Sequence, residues 1–311
     1  MKKIVIFGVG LIGGSFALAL KKAGTYHIVG VGRSLESLQE AKSLGVIDAY
    51  VDTFSDALQP QGLSSQNIPA KAGFSCVKPN IHEALEGADL VLIAAPVAQT
   101  ASILQSIRPH LSKNTIITDA GSTKTDVLAC AKEILGEQFN QFVGGHPIAG
   151  AEKSGVTAAT ANLYVGKNVV LTPALEANRD AVARVADFWR TCGATISEIS
   201  AETHDSIFAA VSHLPHLLAF ALVDDIASRP NAQQLFSFAA SGFRDFTRIA
   251  GSHPEMWRDI SLANKTALLT ELDAYLNELS QLKKLLTNED GAGLQALFER
   301  ASAARNAWAK K

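Results

Sequence analysis

The sequence predicts an α/β fold with a parallel sheet, followed by an all-helical domain. Two observations carry this. Through the first two hundred residues or so, short apolar runs alternate with amphipathic helical patterns, which is the signature of parallel strands with helices on both faces. After about residue 200 the strand-like runs stop, and apolar residues recur at three- and four-residue spacing. The expected division is 1–200 and 201–311.

The elements follow in order. IVIFGV (4–9) reads as a buried strand, and LIGGSFALALKKAG (11–24) as a helix closed by Gly24. HIVGVG (27–32) is a second strand. SLESLQEAKSLG (34–45) is a second helix, capped by Ser34 and ended by Gly45. QPQGLSSQNIPAKAGFSCVKPN (59–80), rich in Gln, Ser, Pro and Gly, breaks the rhythm as a long surface loop. DLVLIAAP (89–96) is a strand stopped by Pro96, and TIITDAGS (115–122) is the next. FVGGHPIAG (142–150) opens with a short strand, and NVVLTPA (168–174) is expected to be the last. Beyond it, 204–227 is a long apolar helix with a kink expected at Pro215. Residues 255–286 repeat Trp257, Ile260, Ala263, Leu269, Leu272, Leu276 and Leu279 on one face, and 294–309 form a last helix. These helices carry more apolar surface than they easily bury alone, so a homodimer through them is expected, with packing on the first domain as the alternative.

Composition narrows the function classes. The 311 residues are 47% hydrophobic and 19% charged, with 28 Lys+Arg against 30 Asp+Glu. A net charge of -2 gives no reason to expect nucleic acid or an anionic membrane as partner. Cys76, Cys130 and Cys192 lie far apart. They offer neither a disulfide framework nor metal-ligand spacing, as fits a reducing cytoplasm. The glycines at 8, 10, 13 and 14 argue against a signal peptide, and no apolar run reaches the ~18 uninterrupted residues of a spanning helix.

GVGLIG (8–13) follows a strand and opens a helix, the context that turns G-x-G-x-x-G into a dinucleotide-binding signal of the Rossmann type. Gly8 permits the turn, Gly10 lets backbone approach a pyrophosphate, and Gly13 lets the helix pack close. Leu11 and Ile12 start the helix whose free N–H groups face the phosphates. Ala95 and Pro96, at the end of the 89–96 strand, border the same crevice. At the end of the second strand Gly32 stands where an NAD site carries an acid, and Arg33 and Ser34 follow. A guanidinium and a hydroxyl suit a 2′-phosphate, so NADP is expected, with NAD as alternative. Ser34 as a helix cap and Arg33 as a solvated charge would be compatible with either.

Two further segments offer chemistry. Ser122 of DAGSTK (119–124) lies at a strand's carboxyl end, where ligands gather, although it could equally cap the next helix. His146 of GGHPIAG (144–150) reaches the same rim. It could accept the proton of a carbinol losing hydride, or it could be a structural histidine in a tight turn. SHLPH (212–216) places His213 and His216 near one helical face, but no acid or cysteine completes a metal site and no metal is expected. Arg244, Arg248 and Arg258 suit carboxylate binding, or form a solvated cluster with Asp245, Glu255 and Asp259. Trp257 is read as core or as site.

Taken together, GVGLIGGS (8–15), DAGSTK (119–124), GGHPIAGAEKSGV (144–156), SHLPHLLAFAL (212–222) and GFRDFTRIAGSHPEMWRDI (242–260) resemble the prephenate dehydrogenase (cyclohexadienyl dehydrogenase) family in the family's order. The resemblance implies a Rossmann domain plus a helical dimerisation domain. It implies oxidative decarboxylation of prephenate to 4-hydroxyphenylpyruvate with an NAD(P) cofactor in tyrosine biosynthesis, or of arogenate to tyrosine. It implies His146 as the base and Ser122 as the residue orienting it and the nicotinamide. His216 with His213, and Arg248 with Arg244, would bind substrate. Glu152 and Asp245 would gate the site, and Trp257 would shape it. No appended regulatory domain is expected, so any tyrosine inhibition would be expected to act at or near the active site. Competing readings are a 3-hydroxy acid dehydrogenase, which the histidine disfavours, and a catalytically silent dinucleotide sensor.

Overall fold

In the computed structural model, residues 1–52, 80–151 and 153–309 are described. The expected loop at 59–80 lies almost wholly outside them. Two compact units emerge: Met1–Ile207 with Gly251–Asn264, and Phe208–Ala250 with Lys265–Lys311.

The first unit is built on eight strands: β1 (Lys2–Phe7), β2 (Tyr26–Gly32), β3 (Ala49–Asp52), β4 (Leu90–Ile93), β5 (Ile116–Asp119), β6 (Phe142–Pro147), β7 (Asn168–Thr172) and β8 (Thr195–Glu198). Their order in the sheet is β3-β2-β1-β4-β5-β6-β7-β8. The helices of this unit are α1 (Leu11–Ala23), α2 (Leu35–Ser43), α3 (Ile81–Leu85), α4 (Thr100–Ile107), α5 (Thr125–Leu135), α6 (Arg179–Thr191), α7 (Ala201–Phe208, its last residue excepted) and, after a long excursion of the chain, α11 (Pro254–Ala263). The second unit holds α8 (Leu214–Ala227), α9 (Ala232–Ser237), α10 (Ser241–Thr247), α12 (Lys265–Thr287) and α13 (Gly291–Ala309).

Strand β1 shows why the sheet is central. Ile4 and Ile6 enter one core with Phe16, Leu20 and Trp189, while Val5 and Phe7 enter the other with Ile93, Leu104 and Phe142. Successive side chains point to opposite faces, so a strand covered on both sides reads as one continuous apolar run. The first core also locks the glycine motif in place. Trp189 packs edge-on against Phe16 and Tyr164, at 4.7 and 5.1 Å between ring centroids. The Tyr164 hydroxyl then donates to the Ile12 carbonyl at 2.6 Å, fastening the first turn of α1.

The structure departs from the sequence reading in several places. The sheet is parallel only from β3 to β6; β7 runs antiparallel to β6, and β8 is parallel to β7. The strand at 168–172 is therefore not the last; β8 lies at the edge and is largely exposed, so its sequence lacks a buried run. Pro215 is carried not by a simple kink but by a π-helical turn, Ala209–His213, just before it. Its wider turn accommodates a residue with no N–H to donate. The helix is continuous from Ala201 to Ala227, and by length and composition it is apolar enough to cross a membrane. It contains no uninterrupted apolar run of that length, because His204, Asp205, His213 and His216 punctuate it. Lastly, the periodic stretch 255–286 is two helices, α11 and α12, divided at Asn264.

Replacing Tyr164 by Phe should lower stability by about 1 kcal/mol through loss of one buried hydrogen bond. It should also weaken dinucleotide binding, because the first turn of α1 is released. Thermal unfolding and cofactor titration of Tyr164→Phe read the two effects.

Candidate active site

The order β3-β2-β1-β4-β5-β6 reverses direction between β1 and β4, where open α/β sheets bind dinucleotides. A cavity of about 560 Å³ opens there, lined by Gly8 and Gly10 after β1, Gly32 and Arg33 at the end of β2, and Ala95 and Pro96 after β4. Gly8 has φ +92°, and a Cβ there would stand 2.6 Å from the Ala94 carbonyl oxygen. Only glycine fits that turn. At Gly10 a Cβ would enter open space, so here the missing side chain leaves bare backbone facing the cavity. Gly10 also precedes α1, whose N-terminus has no side-chain cap and no acid in its first turn. The N–H groups of such a helix end and its positive dipole are suited to a pyrophosphate. Gly13 is buried against the Gly8 carbonyl and Ile6, and Leu11 and Ile12 are half-buried in the first turn. Ser34 is the N-cap of α2, its Oγ accepting the Ser37 N–H at 3.2 Å. Arg33 remains on the cavity wall.

Across β5 and β6 lies a second cluster. His146 is not in a tight turn; it is the penultimate residue of β6, paired opposite Val170 of β7. The neighbouring glycines serve close approach rather than turning. A Cβ on Gly145 would stand 2.8 Å from the Asp119 carbonyl oxygen, and one on Gly144 would collide with the Thr172 hydroxyl. Asp119 ends β5, and its carboxylate pairs with the ammonium of Lys124, both fully buried. The Asp119 carboxylate also accepts the Gly145 N–H at 3.0 Å, and Lys124 Nζ donates to the Gly145 carbonyl at 2.8 Å. The residue before His146 is thus clamped on both its backbone polar groups by one buried ion pair.

Beyond His146 stand two residues of α7. His146 Nδ1 is 2.8 Å from His204 Nε2, and His204 Nδ1 is 2.8 Å from Asp205 Oδ1. The two imidazole rings meet edge to face. The same Asp205 carboxylate accepts the Lys124 and Thr125 N–H groups at 2.9 and 2.8 Å. It therefore caps α5, the role for which Ser122 is the candidate in the sequence. Ser122 lies half-buried in the loop before that helix, whose N-cap residue is Lys124. Burial alone would raise the Asp205 pKa, but hydrogen bonds from His204, Thr125 and Lys124 outweigh it and pull the value down to about 2. His204 is lowered, chiefly by burial, against the opposing bond to Asp205. At neutral pH the pair is a carboxylate and a neutral imidazole.

The remaining expected site residues divide between the units. Trp257 belongs to the first, half-buried on α11, whose helix packs on the Val97–Gln99 segment following β4. Arg258 lies on the same helix and pairs with the buried Asp259 at 2.7 Å and the exposed Glu255 at 3.4 Å. Arg244, Asp245 and Arg248 are exposed on or just after α10 in the second unit. His213 is buried there, and His216 is half-buried with its Nδ1–H donating to the Ser212 carbonyl at 2.9 Å. Burial lowers the His216 pKa, the Ser212 bond opposes this, and the nearby Arg248 charge lowers it further. Glu152 lies outside the described residues. Among the described residues, no group of three His, Cys, Asp or Glu is placed to hold a metal ion.

Residues 59–198 match the family model described as prephenate dehydrogenase, nucleotide-binding domain, and residues 200–300 match its dimerization domain. The chain is 36% identical to a prephenate dehydrogenase of Bacillus subtilis over 96% of its length and 74% of that protein's. It is 32% identical to a cyclohexadienyl dehydrogenase of Zymomonas mobilis, covering 98% of this chain and 95% of the other. Its fold matches the crystal structure of an A. aeolicus prephenate dehydrogenase in complex with hydroxyphenyl propionate and NAD+, at TM-score 0.84 and 35% identity, over 98% of this chain and 97% of that one.

The chain belongs to the prephenate dehydrogenase family.

In this chain the cavity at the β1/β4 crevice and the glycine cradle fit a nicotinamide dinucleotide. Four residues of its second cluster escaped the sequence reading: Asp119, Lys124, His204 and Asp205. The first two stood inside the DAGSTK segment, and a charge pair at the end of an apolar strand was a usable signal. His204 and Asp205 had none beyond being polar in an apolar helix.

Removing the ammonium while leaving its buried carboxylate should be severe. Lys124→Met should cost about 3–5 kcal/mol, and the double variant with Asp119→Asn should recover part of that loss. Denaturant titration of the three proteins measures it.

Proposed function

We propose that this chain oxidises and decarboxylates prephenate to 4-hydroxyphenylpyruvate in tyrosine biosynthesis, with His146 as the base. The observation that carries the assignment of the base is the clamp on Gly145, which fixes the next side chain at the carboxyl end of the sheet. Prephenate is a dianion whose non-aromatic ring bears a hydroxyl and a carboxylate on opposite carbons. The bound nicotinamide ring supplies the hydride acceptor. As hydride leaves the carbinol carbon, His146 takes the hydroxyl proton and a dienone forms. The ring–carboxylate bond then breaks, its electron pair enters the ring, and carbon dioxide departs. Aromaticity of the product makes the sequence effectively irreversible, so the protein has only to align, accept one proton and hold two carboxylates.

Gly8, Gly10 and the first turn of α1 would hold the pyrophosphate, with Ala95 and Pro96 bordering it. Ser122, beside the same rim, would help orient ring and base. Arg248, with Arg244, would bind a substrate carboxylate, and His216, neutral by its lowered pKa, would contact the side chain with His213. Asp245, Glu152 and Trp257 would gate and shape the site. Leu269, Leu276, Leu279 and Leu286 stand exposed along α12 at the spacing of one helical face, which supports a homodimer through the helical unit.

The preferred dinucleotide is NADP. Its support is Arg33 on the cavity wall with Gly32 in place of an acid; NAD is the alternative. Arg33→Ala should weaken NADP about tenfold or more while changing NAD little. Equal losses in fluorescence titrations would remove the assignment. Arogenate is the second reading, favoured by the similarity to a cyclohexadienyl dehydrogenase. Reduced-nicotinamide absorbance with each substrate and each cofactor decides both choices. His146→Asn should bind substrate and cofactor but lose about 10²–10⁴-fold in turnover; a mild loss would place the base elsewhere.

A further inference from the structure

Two buried residues that the mechanism above does not use lead inward from His146. They are His204, fully enclosed, and Asp205. Asp205 cannot turn away from its task. Its two carboxylate oxygens cap α5 through the Lys124 and Thr125 N–H groups, and its carbonyl accepts Asn264 Nδ2 at 2.8 Å. Among the described residues, the charges of Lys124 and Asp119 also act on His204.

With both rings neutral, the hydrogens along this chain have one arrangement. A carboxylate only accepts, so the hydrogen between Asp205 and His204 sits on His204 Nδ1. His204 is neutral, so its Nε2 carries no hydrogen and must accept. The hydrogen between the two rings therefore sits on His146 Nδ1. In a neutral His146 this leaves Nε2 as the lone-pair nitrogen. Free imidazole side chains in water favour the opposite form, with the hydrogen on Nε2.

We infer that the Asp205–His204 pair is a positioning device for the base: it holds the His146 ring in the Nδ1–H tautomer, so that Nε2 is the atom that takes the substrate proton. This rests on the reading of His146 as the base. When Nε2 gains the hydroxyl proton, the imidazolium donates through Nδ1–H to His204, and the new charge faces a chain that ends on a carboxylate. No net proton leaves the network in that step. His204 and Asp205 touch neither substrate nor cofactor in this role; they act through His146.

The test uses the full-length protein labelled with ¹⁵N-histidine, with His146→Asn identifying the His146 signals. Wild-type His146 should show the shifts of the Nδ1–H tautomer. In His204→Leu the signal should move toward the Nε2–H form. Turnover should fall on the order of 10²-fold, with KM and cofactor affinity within about twofold. His204→Gln should restore the Nδ1–H signature and rate to within about tenfold of wild type, because its amide oxygen reaches the position of Nε2 and accepts the same hydrogen. An Nε2–H signature in the wild type overturns the inference, and this needs no variant at 204 to fold. So does a His204→Leu protein with unchanged tautomer and turnover. Full turnover by His146→Asn would instead remove the reading of His146 as base, and the tautomer spectra would still report on the pair.

Discussion

Lys124 is where the active half of this protein is tied together. Its ammonium is fully buried, and a buried charge persists only if it is paired and hydrogen-bonded. The carboxylate of Asp119 and the carbonyl of Gly145 meet that demand, while the Lys124 N–H goes to Asp205. One residue thus joins the end of β5, the middle of β6, the start of α5 and the middle of α7. Each of these carries a group of the candidate site. The ion pair contributes little as a source of stability, since hydrophobic replacements can do as well. What it contributes is direction. Every partner is at hydrogen-bond distance, so the strands and helices cannot slide without breaking several bonds at once.

Missing side chains matter as much as present ones. At Gly8 and Gly145 a Cβ would strike a neighbouring carbonyl; at Gly10 it would fill the space in front of an uncapped helix. The first two allow backbone segments to approach, and the third leaves polar backbone exposed to a ligand. The motifs GVGLIG and GGHP therefore do related work. One brings main chain to a phosphate, and the other brings two strands so close that the ion pair can grip the residue before His146.

The helical segment 201–227 illustrates the tension between burial and chemistry. Its composition would suit a membrane, yet polar residues interrupt it at 204, 205, 213 and 216. Each is at least half-buried, and His204, Asp205 and His216 are held by hydrogen bonds at 2.8–2.9 Å. The π turn before Pro215 resets the helical phase in the stretch that bears His213 and His216. A widened turn of this kind costs hydrogen-bond quality and is retained where side-chain direction matters.

By itself the sequence determined the class of the fold, the order of most elements, the dinucleotide cradle and the candidacy of His146, Ser122, His216 and Arg248. These are local signals: a period of two or 3.6, a glycine at a turn, a polar residue ending a strand. It did not determine that His146 lies in a strand, because glycine and proline mark turns more often than strand contacts. The antiparallel β7 and the edge strand β8 were equally hidden, since strand direction and pairing depend on partners far along the chain. The coupling of His146 to His204, 58 residues away, was decided only by the packing of α7 against β6 and α5. A histidine and an aspartate side by side in a helix have no spacing that announces their partners. Folding supplies them, because a buried carboxylate must find donors, and it finds them at the N-terminus of α5 and in the ring beside it.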